Sequence, residues 1–133
     1  MNNFVYPNYD GMSLLSVPSV ILFLFGQKPL KKLLPKKFYA NAEGAEKIIL
    51  FIFDGFGHNL FQKEAVNFPF FRKLSDIKFY NSITSVFPPT TAASLGTLQS
   101  GLSTMEHGLP EWYVYFKEMD AVLQSIPFQP VIQ

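Results

Sequence analysis

Six consecutive apolar residues, Ile48-Ile49-Leu50-Phe51-Ile52-Phe53, run directly into Asp54-Gly55. An apolar run of this length without alternation is the pattern of a strand covered on both faces, as in a parallel sheet. Residues 56–66 and 70–74 carry helical spacing, the second stretch with Pro69 near its N-terminus. Residues 79–86, stopped by Pro88-Pro89, predict the next strand. Residues 91–100 are rich in Ala, Leu and small side chains and end at Gly101, which predicts a helix with a glycine stop. The aromatic and β-branched stretch 112–116 predicts a further strand, with 121–126 as its partner. Upstream, residues 14–25 are the most apolar part of the chain; Ser16 and Pro18 supply a cap and a first-turn residue and Gly26 a stop, so a short buried helix is expected. Strands alternating with helices predict an α/β fold. No internal repeat or low-complexity tract interrupts this order.

Composition narrows the picture. With 133 residues, 48% of them hydrophobic and fifteen of them Phe, the chain can bury a sizeable core, and one domain is expected. Eleven Lys and Arg are balanced by ten acids, and a net charge of +1 gives no electrostatic footprint for nucleic acid. The local basic cluster at 28–37 reads as a solvated connector. The absence of Cys excludes disulfides and thiolate metal sites, leaving carboxylate, hydroxyl and imidazole as ligands for any zinc. The apolar stretch 14–25 falls short of the ~20 residues a bilayer needs. Pro18 interrupts it and no Lys or Arg precedes it, so neither a transmembrane segment nor a secretory leader is expected and a cytoplasmic location follows.

Two features carry candidate chemistry. In α/β folds ligands gather beyond the carboxyl ends of the strands, where Asp54 falls, followed by Gly55 and Gly57. An aspartate there either binds a cation or caps the next helix. Thr90-Thr91 follows Phe87-Pro88-Pro89 and opens the helix at 91–100. A hydroxyl at a helix N-terminus faces unpaired N–H groups and the positive end of the dipole, which favours phosphate or a developing alkoxide by about 0.3–2 kcal/mol. An unassisted alcohol keeps its proton at neutral pH, so a nucleophilic threonine needs a base or a metal; the simpler role for either residue is an N-cap. His58, four residues beyond Asp54, either reaches the same side of the following helix or serves at the surface or as a cap. Trp112, Tyr113 and Tyr115 fit an aromatic strand or a stacking surface for a base. Asp10, Asp76, Glu106 and Asp120 lack motif context and read as solvated or capping acids.

The segment from Phe87-Pro88-Pro89-Thr90-Thr91 to Ser100-Gly101-Leu102, followed by Glu106-His107-Gly108-Leu109, resembles the type I phosphodiesterase/nucleotide pyrophosphatase branch of the alkaline phosphatase superfamily. With residues 48–55 included, the resemblance spans 48–109. Aligned on the Gly-Leu pair, the family nucleophile falls on Thr91 rather than Thr90. The run Thr91-Ala92-Ala93-Ser94 is also similar to the Ser-Ala-Ala-Ser around the alkaline phosphatase nucleophile, and selects the same hydroxyl. The resemblance implies an alkaline-phosphatase-like, mostly parallel sheet flanked by helices. It implies two divalent metal ions, zinc in this family, with Asp54 and Thr91 as ligands of one of them. It implies in-line attack by Thr91 on a phosphoester, a threonyl-phosphate intermediate cleared by a water activated at the second ion, and the Ala92 N–H group supporting the phosphoryl oxygens. The family counterpart of His107 is structural.

The chain also departs from the family. Nucleotide-cleaving members follow the nucleophile with Phe-Pro-Asn-His, where this chain has Ala92-Ala93-Ser94-Leu95, and place an Asn beyond the His-Gly pair, where this chain has Trp112. A two-metal site takes about six or seven protein ligands, and the family's remaining Asp and His ligands lie well beyond the nucleophile segment. The expectation is therefore that residues 1–133 are an incomplete N-terminal portion of one alkaline-phosphatase-like catalytic domain, inactive alone, whose open sheet edge needs the missing C-terminal half or self-association. The expected substrate is a small phosphoester, with a nucleotide as one case. Two alternatives stand beside this reading: a sulfatase-like or phosphomutase-like relative, and a non-catalytic remnant acting as an interaction surface.

Overall fold

A computed structural model describes residues 4–76 and 80–131, and of residues 75 and 76 the backbone alone. Among the described residues five α-helices are formed, α1 Ser16–Leu24, α2 His58–Ala65, α3 Pro69–Asp76, α4 Thr91–Ser100 and α5 Thr104–His107, together with strands β1 Tyr113–Phe116, β2 Ala121–Gln124 and β3 Gln129–Pro130. The strands pair in chain order in one antiparallel sheet, with Tyr113 opposite Gln124, Phe116 opposite Ala121, and Leu123 opposite Pro130. The fold is α/β, as expected, but the described strands follow the five helices rather than alternating with them.

The core lies where α1 packs on α4. Val20, Ser16 and Ser19 of α1 and Ala92, Ala93 and Thr97 of α4 are buried, as are Ser13, Leu15, Leu34 and Val86 outside the two helices. Small side chains on both helices let the two backbones approach closely. The predicted ends of α1 and α4 hold up at their C-termini. Beyond α1 the Gly26 N–H donates to Phe23 O at 2.9 Å and Gln27 N–H to Leu22 O at 2.8 Å, a Schellman closure of the last turn. After α4 Gly101 takes the left-handed conformation (φ 70°) that a side chain would resist. A second, aromatic cluster joins α2 to α3, with Phe61 stacked on Tyr80 at 4.4 Å between ring centroids and Phe56 at 5.1 Å from Phe71. The basic connector is tied down by ion pairs, Lys31 with Glu106, Lys32 with Asp10 and Lys36 with Glu43. Among the described residues no helix is long and apolar enough to cross a membrane.

Three expectations are corrected. The sheet is antiparallel, and among the described residues the parallel sheet expected from 48–53 and 79–86 is not formed. Residues 48–53 carry no strand pairing, and Ile49, Phe51 and Phe53 are 77, 73 and 74% exposed. Phe79 lies outside the described residues; from Tyr80 to Val86 the only ladder contact described is a single parallel bridge of Thr84 to Ser13, with Leu14 N–H donating to Thr84 O and Thr84 N–H to Met12 O, each at 2.9 Å. An unbroken apolar run reports that a segment suits burial on both faces, but the ladder itself depends on neighbours elsewhere in the chain. The helix at 14–25 is buried on one side only, since Phe23 and Phe25 remain 42 and 47% exposed. Its N-cap position is Leu15, so Ser16 stands as the first helical residue rather than the cap.

Candidate active site

Asp54 lies in the turn between the apolar run and α2, and Thr91 is the first residue of α4. The fold brings them together: the Thr91 hydroxyl donates to Asp54 Oδ2 at 2.9 Å. The other carboxylate oxygen accepts the Gly55 N–H, also at 2.9 Å. The neighbouring Thr90 is committed differently. As N-cap of α4 it holds extended dihedrals (φ −102°, ψ 158°) and its Oγ1 accepts the Ala93 N–H at 3.2 Å while donating to Pro110 O at 2.8 Å. Of the two threonines, one closes the helix and the other meets the carboxylate. The helix-cap alternative for Asp54 does not apply to α2, whose N-cap is Gly57.

Ala92, 2% exposed, follows Thr91 in the first turn of α4, where N–H groups have no carbonyl four residues back to pair with. Asp54 and Thr91 open onto a cleft of about 730 Å³ walled by Phe53, Ile83, Ser94 and Leu95 among others. Its described lining contains no Lys, Arg or His, so Asp54 supplies the one formal charge there. Ser94 stands one turn beyond Thr91 on the same helix face; the i, i+3 spacing in Thr91-Ala92-Ala93-Ser94 is the signal that marks it, and the motif reading passed over it.

Two oxygens 2.9 Å apart suit a shared cation. Tetrahedral ligands bonded to one metal at about 2.0–2.2 Å lie roughly 3.3–3.6 Å from each other, so Asp54 Oδ2 and Thr91 Oγ1, 2.9 Å apart, would have to separate by about half an ångström to bind in common. Among the described residues no group of three or more His, Asp or Glu is placed to hold a metal ion. These two oxygens are therefore what the described chain offers.

Both histidines are engaged elsewhere. The Leu109 N–H donates to His107 Nδ1 at 3.1 Å, which assigns the ring proton to Nε2, 3.2 Å from the buried Thr97 hydroxyl. The ring lies so close over Gly96 that a Cβ there would sit 2.8 Å from His107 Cε1. His58 opens α2, with Nδ1 2.7 Å from the Tyr80 hydroxyl and the two rings stacked at 5.7 Å. Burial pushes the Tyr80 hydroxyl pKa up. Glu106, read only as a solvated or capping acid, makes a capping box on α5: its Oε2 accepts from Ser103 N–H at 2.8 Å and from Ser103 Oγ at 2.6 Å. The spacing Ser103-x-x-Glu106 was the available sign. Its hydrogen bond with Lys31, then those with Ser103, hold its carboxyl down at about 2.

The chain thus sets a carboxylate against a first-turn helix hydroxyl in an open cleft. The family model for type I phosphodiesterase / nucleotide pyrophosphatase matches residues 48–127, more than half of the chain, and the chain belongs to that family. The family suggests a hydrolase of the phosphodiesterase or pyrophosphatase type with a phosphoester or nucleotide substrate. The matched span holds Asp54, Thr91 and both long strands, and reaches well past the Leu109 limit of the recognised motifs. No curated protein and no solved structure matches the chain.

Proposed function

We propose that this chain is the N-terminal portion of one alkaline-phosphatase-like catalytic domain, and that the complete enzyme is a metal-dependent phosphodiester hydrolase using Thr91 as nucleophile. The observation that carries the reading is the 2.9 Å hydrogen bond from Thr91 to Asp54 inside the family-matched span. A carboxylate is too weak a base to hold an alcohol's proton by itself. Zinc held by Asp54 and Thr91, one of two divalent ions in the complete domain, would supply the Lewis acidity that makes such a hydroxyl ionise near neutral pH. Asp54 orients Thr91, and the α4 terminus favours negative charge at its oxygen. The Thr91 oxygen forms a bond to phosphorus as the bond to the leaving alcohol breaks, and that alcohol departs with a proton. The Ala92 N–H supports the equatorial oxygens. Water then cleaves the threonyl-phosphate, releasing the monoester and regenerating Thr91.

The test is a pair of substitutions in the complete enzyme. Thr91→Ala is expected to lower turnover by roughly a thousandfold or more and to abolish a trappable phosphoenzyme. Thr90→Ala, which removes a helix cap, is expected to cost about 1 kcal/mol of stability and leave most activity. The opposite ranking would move the nucleophile to Thr90. A panel of phosphate diesters, monoesters and sulfate esters separates this reading from a sulfatase-like or phosphomutase-like one; the Ala92-Ala93-Ser94-Leu95 departure bears on whether the diester is a nucleotide.

A further inference from the structure

The cleft at Asp54 is lined by the hydroxyl-bearing residues Thr84, Ser85, Thr90, Thr91 and Ser94. Three of these hydroxyls are already engaged. Thr84 Oγ1 accepts the Asn8 N–H at 2.8 Å and donates to Met12 O at 3.1 Å, Thr90 Oγ1 caps α4 and donates to Pro110 O, and Thr91 donates to Asp54. Among the described residues no hydrogen bond engages the hydroxyl of Ser85 or of Ser94. Ser85 is exposed and lies outside the helices, whereas Ser94 is half-buried and shares α4 with Thr91. Helical residues three apart carry Cβ atoms about 5–6 Å from each other, and every Cα–Cβ bond of a helix tilts toward its N-terminus. The Ser94 side chain therefore leans along α4 toward the turn that carries Thr91.

We propose that Ser94 contacts the substrate, its hydroxyl donating a hydrogen bond to one non-bridging oxygen of the phosphoryl group that Thr91 attacks; this rests on the reading of Thr91 as nucleophile. The described lining of the cleft has no Lys, Arg or His, so on this face neutral donors meet the charge carried by the phosphoryl oxygens. The Ala92 N–H is one such donor and the Ser94 hydroxyl is a second. A serine hydroxyl turns freely to suit its acceptor, and on a rigid helix it needs little reorganisation when the reaction occurs. Ser94 approaches from one side of Thr91, so it serves one of the two non-bridging oxygens of a diester and not the other.

That asymmetry supplies the test. In the complete, zinc-loaded enzyme, Ser94→Ala is expected to lower kcat/KM for methyl p-nitrophenyl phosphate by roughly ten- to a hundredfold, the loss of one hydrogen bond to a charged group, with most of the effect in kcat. Alanine is the better helix former, so far-UV circular dichroism should stay unchanged. The resolved Rp and Sp forms of methyl p-nitrophenyl phosphorothioate then separate contact from scaffold, because sulfur accepts hydrogen bonds weakly. Ser94→Ala should slow the form that turns oxygen toward residue 94 far more than the form that turns sulfur there, shifting the ratio of their kcat/KM values by about fivefold or more. Ser94→Thr, which keeps the hydroxyl, should hold the ratio of the unmodified enzyme. Equal slowing of both forms by Ser94→Ala makes the residue merely structural and overturns the proposal. An inactive Thr91→Ala beside a Ser94→Ala of unchanged kcat/KM overturns it alone, while a fully active Thr91→Ala overturns the nucleophile reading and this proposal with it.

Discussion

The Gly96–His107 contact is a close approach between α4 and α5. An alanine inside a helix is ordinarily about 0.8–1 kcal/mol better than glycine. At position 96, however, the added Cβ would meet His107 Cε1 at 2.8 Å and both ring nitrogens at 3.1 Å, and the ring is held in place by Thr97 and by the Leu109 N–H. Overpacking of this kind costs about 1–3 kcal/mol, so Gly96→Ala is expected to destabilise. The sign should reverse when the ring is removed: in a His107→Ala background, Gly96→Ala should stabilise by up to about 1 kcal/mol. Urea denaturation of the four proteins of this double-mutant cycle gives the coupling, and a Gly96→Ala penalty that survives loss of the ring would show that His107 is not its cause. Which of Thr90 and Thr91 caps α4 was open in the sequence, where either fits an N-cap; the structure gives the cap to Thr90 and the first helical position to Thr91.

At the scale of elements, α5 has four residues and depends on its capping box. Glu106 combines that role with the ion pair to Lys31, tying the helix to the connector after α1. Its carboxyl is held at about 2, against an ordinary 4.5, by the hydrogen bond to Lys31 first and those to Ser103 next. A depressed carboxylate pKa means the unfolded state binds the proton more readily. Its stabilising contribution is therefore full above about pH 4.5 and is lost as the pH falls toward 2. Other carboxylates titrate nearby, so the informative quantity is a difference: Glu106→Gln should flatten the decline of stability between pH 4.5 and 2 relative to the unmodified chain, as measured by denaturant unfolding along a pH series. Parallel curves for the two proteins would assign that decline to other groups. Local signals were read well at this scale. Glycine stops, proline boundaries and the β1–β2 hairpin are encoded within a few residues of where they act, and the structure places the ends of α4 and the β1–β2 pairing where the pattern puts them.

At the scale of the whole molecule the sequence was least informative, because strand pairing and ligand sets are assembled from distant parts of a chain. The run 48–53 has the composition of a central parallel strand, yet its described neighbours give it no ladder. The candidate site shows the same limit: Asp54 and Thr91, 37 positions apart, meet, while no third carboxylate or imidazole joins them among the described residues. Two oxygens leave most of a zinc ion's coordination to water, and a site with so little preorganisation binds weakly. The purified 133-residue chain is therefore expected to take up zinc with a dissociation constant above roughly 10 μM, a binding free energy short of about 7 kcal/mol, and to show no phosphodiester turnover above background. Asp54→Ala should remove what zinc binding there is at this locus. Calorimetric titration with zinc alone, alongside an assay with an aryl phosphodiester, decides the matter: tight, near-stoichiometric zinc accompanied by turnover that Asp54→Ala abolishes would show that these residues already make a complete enzyme, and would overturn the proposal that they are one portion of a larger catalytic domain.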